Sequence, residues 1–187
     1  MRISCNDRMS LRPVTLAVLA AFSTATPLLA SAANNPAAGS ALDASDFVVN
    51  THTANNQWNP AAARDAAGDF VVVWQSYDQA GATSKDDIYA QRYHTDGSKN
   101  GTEFLVNTIT SDFQSFPTVG MDAAGDFVVA WVGANEAVTS SGQVYFQRFN
   151  ASGAPMGSET LVNSSVFTNE VEPRAAMDAT GDFVLVW

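Results

Sequence analysis

A ten-residue phrase occurs three times in this chain, as Asp65-AAGDFVVV-Trp74, Asp122-AAGDFVVA-Trp131 and Asp178-ATGDFVLV-Trp187. The steps from Asp65 to Asp122 and from Asp122 to Asp178 are 57 and 56 residues. Other positions keep the interval. Val49-Asn50-Thr51 returns as Val106-Asn107-Thr108 and Val162-Asn163-Ser164, Pro60 as Pro117 and Pro173, and Ile88-YAQRY-His94 as Val144-YFQRF-Asn150. Units this short bury their apolar faces by stacking on one another, which narrows the fold to a solenoid, a propeller or a similar array.

Within a unit the periodicity is that of strands. Phe70, Val72 and Trp74 fall on one face of a strand and Val71 and Val73 on the other. Both faces are apolar, so this strand is expected between two layers rather than on a solvated sheet. Asp-x-x-Gly-Asp ahead of it has the chemistry of a tight hairpin, with aspartate at the first position and glycine in the left-handed one. Proline at the start of the preceding strand costs no ladder hydrogen bond. With Glu103-FLV-Asn107 and Val144-YFQR-Phe149, each unit reads as four short strands and shows no helical period. The fold class is therefore all-β, a β-propeller-like array of four-stranded repeats forming an incomplete ring. Kelch propellers have repeats of about 50 residues, whereas a sandwich domain needs about seven strands.

The N-terminal 32 residues stand outside this pattern. Arg2, Arg8 and Arg12 precede an apolar run from Val14 to Ala30, and Ala30-Ser31-Ala32 supplies small residues for cleavage. Residues 1–32 are read as a secretory signal peptide, 33–45 as a linker, and 46–187 as three β copies. These are phased near 46–102, 103–158 and 159–187, the last truncated inside its apolar strand, as in a fragment of a longer repeat protein. Asp46-FVV-Asn50 is expected as a lone strand able to latch a ring. No other segment offers the ~18 apolar residues of a membrane span, so the mature chain is expected outside the cell or on its surface. Cleavage removes Cys5, the one cysteine, and deepens the net charge from −10 to −12 by loss of three arginines and Asp7. A surface so acidic disfavours nucleic acid and is compatible with divalent cations.

Asp-x-x-Gly-Asp-Phe-Val-Val-x-Trp, Ile-Tyr-x-Gln-Arg-Tyr and Gly-x-Glu-Phe-x-Val-Asn resemble the tandem repeats of large exported bacterial proteins of surface, adhesin or matrix type. Those proteins often also carry hemolysin-type calcium-binding or cadherin-like segments. The resemblance covers about residues 44–187 and implies binding or scaffolding, with no activity attached to the repeat.

The candidate sites are few. The aspartate pairs Asp65/Asp69, Asp122/Asp126 and Asp178/Asp182 read as turn residues, because they lack the ligand order of a calcium loop. Asp78, Asp86 and Asp87 form the better calcium candidate, in one copy alone. Arg92 and Arg148 are expected to pair with carboxylates. Trp74, Trp131 and Trp187 read as core, and Trp58, which does not repeat, as a candidate for the surface. The sialidase Asp-box order Ser-x-Asp-x-Gly-x-x-Trp is not met, since glycine follows aspartate by three residues and tryptophan follows glycine by six. No zinc, P-loop or serine-hydrolase motif is present. The expected function is a non-enzymatic, exported binding or scaffold module for a glycan or a surface protein. The alternative is a fragment of a propeller-fold secreted hydrolase or lyase with its catalytic units elsewhere.

Overall fold

The computed structural model describes residues 3–5, 47–81, 85–133, 142–162 and 172–187. The expected signal peptide and linker lie outside these residues, apart from Ile3–Cys5. Among the described residues there are eleven strands: β1 (Ile3–Cys5), β2 (Gln57–Arg64), β3 (Phe70–Tyr77), β4 (Asp86–Tyr93), β5 (Phe104–Leu105), β6 (Gln114–Met121), β7 (Phe127–Gly133), β8 (Gln143–Phe149), β9 (Thr160–Leu161), β10 (Arg174–Met177) and β11 (Phe183–Val186). Among the described residues the chain is all-β.

The strands form three antiparallel sheets, ordered β2-β3-β4-β5, β6-β7-β8-β9 and β1-β11-β10. Each four-stranded sheet is a meander whose last strand comes from the start of the next copy. Phe104 and Leu105 pair with Ala90 and Tyr89, and Thr160 and Leu161 with Phe146 and Tyr145. The sheets thus straddle the sequence copies, with one covering 57–105 and the next 114–161. Asn107 fastens this outer strand. Its Oδ1 accepts the Ile88 amide at 2.7 Å, and its Nδ2 donates to Asp87 Oδ1 at 2.7 Å.

The two apolar faces of the central strand lie in different cores, as its sequence requires. Val71 and Val73 join Val129 and Trp131 in one buried cluster, while Val72 and Trp74 join Tyr89 and Tyr93 in another. Val128 and Ala130, on the other side of β7, pack against Phe183 and Leu185 of the third copy. The sheets are stacked face to face, and each interface is the core of its two neighbours. β6 packs beside both β2 and β10, so the first strands of the three copies run side by side. Gly120 permits this approach, since a Cβ there would meet Met177 Cβ at 3.0 Å.

Residues 47–50 do not form the expected strand. They pack by side chains, Phe47 against the Tyr93 ring at 5.2 Å between centroids, with the Val49 carbonyl accepting the Tyr93 hydroxyl at 2.7 Å.

Candidate functional site

Residues shared by the copies are consumed in fixing the turns of each copy and in joining one copy to the next. Asp122 Oδ1 accepts the amides of Ala124 at 2.8 Å and Asp126 at 3.0 Å, and Asp178 does the same for Thr180 and Asp182. The second aspartate of the motif reaches another turn: Asp126 Oδ1 accepts the Ala151 amide at 2.8 Å, and Asp69 Oδ1 the Thr95 amide at 3.0 Å. Gly68, Gly125 and Gly181 all take positive φ, of 96°, 90° and 92°. The turn reading of these aspartates agrees with the geometry.

A second device joins successive copies. Glu103 Oε2 accepts both the amide and the hydroxyl of Thr51, at 2.7 and 2.8 Å. Glu159 Oε2 accepts the same pair from Thr108, at 2.6 and 2.8 Å. Arg92 departs from expectation, because Nη1 donates to the Ala151 carbonyl of the next copy at 2.7 Å and not to a carboxylate. Its guanidinium lies so near Gly153 that a Cβ there would meet Nε at 2.8 Å.

Asp78, Asp86 and Asp87 are not gathered into a cation site. Asp86 and Asp87 are consecutive in β4 and so face opposite sides of the sheet. Asp87 is fully buried and bonded to Asn107. Asp78 sits in the hairpin at φ 58°, with its amide donating to the Lys85 carbonyl at 2.7 Å. Among the described residues no three His, Cys, Asp or Glu side chains converge as metal ligands.

Asp86 has a different connection. Its carboxyl is 5 % exposed and lies above the ordinary value of 3.8, chiefly through burial, with a bond from Gln75 opposing and the Asp87 charge adding. As pH climbs past 3.8 the unfolded chain ionises first, so this group withdraws stability from the folded state. Asp86→Asn, which keeps an acceptor for Gln75, is expected to gain on the wild type in urea midpoint between about pH 3 and about pH 7. An equal difference at both pH values would show that burial does not raise the carboxyl above its ordinary range.

Gln75 continues the connection to the surface. Its Oε1 accepts Asn59 Nδ2 at 3.0 Å and the Phe116 amide at 3.4 Å. Asn59 and Phe116 are equivalent residues, each directly before the recurring proline, and each left-handed at φ 51° and 54°. The pairing of β2 with β3 slips between Trp58 and Ala61, and that of β6 with β7 between Ser115 and Thr118. β2 and β6 therefore each carry a one-residue β-bulge at the same place, a device that re-aims a side chain. A bulky residue with φ near 54° is a strained conformation that its surroundings must hold.

The bulges converge. Asn59, Pro60 and Ala61 of the first copy, Phe116, Pro117 and Thr118 of the second, and Glu172 and Arg174 of the third line a cleft of about 280 Å³. Arg174 Nη2 donates to Glu172 Oε2 at 2.6 Å, and Thr118 Oγ1 accepts the Ala175 amide at 3.2 Å. Sequence reasoning noticed the prolines and missed the residues around them. The signal was available: the positions on either side of the proline read Asn/Ala, Phe/Thr and Glu/Arg in the three copies. Trp58, read as a surface candidate, is half-buried on β2 and opposite Gln75.

No family model matches the chain, and no curated protein matches it. Among solved structures it is similar to the Hadza microbial sialidase Hz136, with 14% identity and a TM-score of 0.46, over 68% of this chain and 32% of that one. It is also similar to the α-L-arabinofuranosidase from Lactobacillus brevis, with 12% identity and a TM-score of 0.39, over 57% of this chain and 35% of that one. The chain thus spans about a third of the length of each of these proteins.

Proposed function

We propose that the chain is a non-enzymatic binding module of an exported repeat protein, working at the cell surface or outside the cell. In this reading the sheets are consecutive blades of a propeller-like array, and residues 1–32 direct export. The observation that carries the reading is a division of labour between positions. Residues common to the copies either tie one copy to the next, as Thr51 and Thr108 do with Glu103 and Glu159, or fix the turns within a copy, as the aspartates do. Residues that differ at equivalent positions meet in the cleft beside the prolines. An array that needed only to stack would have no use for this asymmetry, whereas a ligand site needs several different groups at fixed places.

Beads carrying the full chain are expected to be retained on the cells that export it. Retention by the double variant Phe116→Asn, Arg174→Ala is expected to fall by about tenfold, a loss of about 1.4 kcal/mol. Asparagine is the residue that the first copy holds at the same left-handed position, so the bulge is kept. Equal retention of the two proteins would contradict the reading.

A further inference from the structure

We infer that the cleft between the two bulges and the start of β10 takes one or two rings of a neutral carbohydrate. This rests on the binding-module reading and assigns its ligand class. The volume, about 280 Å³, lies at the low end of the ~300–1,000 Å³ typical of small-molecule clefts, which suits a sugar unit better than a folded partner. Its walls are of two kinds. Phe116 and Pro60 offer an apolar surface, with Pro117 buried behind them, against which the C–H face of a pyranose can lie.

The polar groups are a mixed set of donors and acceptors. The amide nitrogen of Asn59 is held by Gln75, which leaves its carbonyl oxygen to accept a hydroxyl proton. Glu172 and Arg174 contribute an acceptor and a donor side by side, bonded to each other at 2.6 Å and largely exposed. Neighbouring hydroxyls on a ring each donate and accept, and an adjacent carboxylate and guanidinium match such a pair.

Charge selects between sugar classes. Glu172 and Arg174 cancel, so the cleft itself offers an anion no net attraction, and the chain as a whole carries −10. That field disfavours uronic acids and other anionic sugars, while a neutral sugar is indifferent to it. The Asp86–Gln75 pair beneath the two bulges supports the arrangement from the buried side, because Gln75 fixes both the Asn59 side chain and the Phe116 backbone.

The test is a titration of the full chain, followed by ¹H–¹⁵N correlation spectra, with maltose, cellobiose and lactose as neutral probes and glucuronate as the charged one. At least one neutral sugar is expected to shift the amides around Asn59, Phe116 and Arg174. The double variant Phe116→Asn, Arg174→Ala is expected to weaken its Kd by about tenfold, with spectra as dispersed as those of the wild type. Shifts produced by glucuronate alone would overturn the ligand class, and shifts confined to other surfaces would overturn the site. Silence of all four probes would also overturn the inference. If bead retention still depended on Phe116 and Arg174, the binding reading would survive that failure. Sugar binding at the cleft with retention unchanged would sink the functional reading instead.

Discussion

Trp131→Ala is expected to lower stability by about 3–5 kcal/mol, the cost of removing a fully buried large aromatic. Trp131 has no exposed surface and packs in the cluster that joins the first and second sheets, with Val71, Val73 and Val129. Its ring stacks on Tyr145 at 6.3 Å, and its indole nitrogen donates to Gln114 Oε1 at 2.9 Å. Truncation therefore opens a cavity where two copies meet and removes a buried hydrogen bond as well. Met156→Ala, at a side chain 41% exposed, is the control and should change stability by less than about 0.5 kcal/mol. Urea midpoints decide the matter. A loss below about 1 kcal/mol at Trp131 would mean that the sheets do not depend on this face.

Gly125→Val is expected to cost about 2–3 kcal/mol, while Ala124→Ser next to it costs less than about 0.5 kcal/mol. Gly125 has φ 90°, a conformation that a β-branched residue adopts only under strain. A Cβ at this place would also stand 3.2 Å from Ala151 Cβ and 3.3 Å from Asp65 Oδ2, so both the neighbouring hairpin and the preceding copy must give way. Ala124 is exposed, and its amide bond to Asp122 is indifferent to a hydroxyl on its own side chain. For a chain of this size the difference corresponds to about 4–10 °C in Tm. Equal melting temperatures would refute the account of the turn.

The parts of this fold that could be read in advance are those decided locally. The hairpin of Asp122 and Gly125 follows from turn chemistry within five residues, and the alternation of Phe70 to Trp74 shows two buried faces without reference to any partner. Contacts made at a distance were not legible. Arg92 lies amid carboxylates in composition, yet its partner is a carbonyl 59 residues away, presented by the turn of the next copy. Asp86 and Asp87 are adjacent in sequence, and the pleat of β4 sends them to opposite faces. The bulge is the clearest case. A residue before proline is ordinarily extended, but Asn59 and Phe116 are left-handed, held by the buried Gln75, which belongs to a different strand from either. Nothing local to Phe116 announces that conformation.

Residues shared by the copies build the stack, while the side chains of Phe116 and Arg174 beside the prolines serve a ligand. Thermal melting of the Phe116→Asn, Arg174→Ala protein beside Gly125→Val tests this most directly. The cleft variant should melt within about 3 °C of the wild type, less than about 1 kcal/mol, and Gly125→Val well below both. A cleft variant that melts as low as Gly125→Val would show that the bulge residues are part of the scaffold, and would contradict the account.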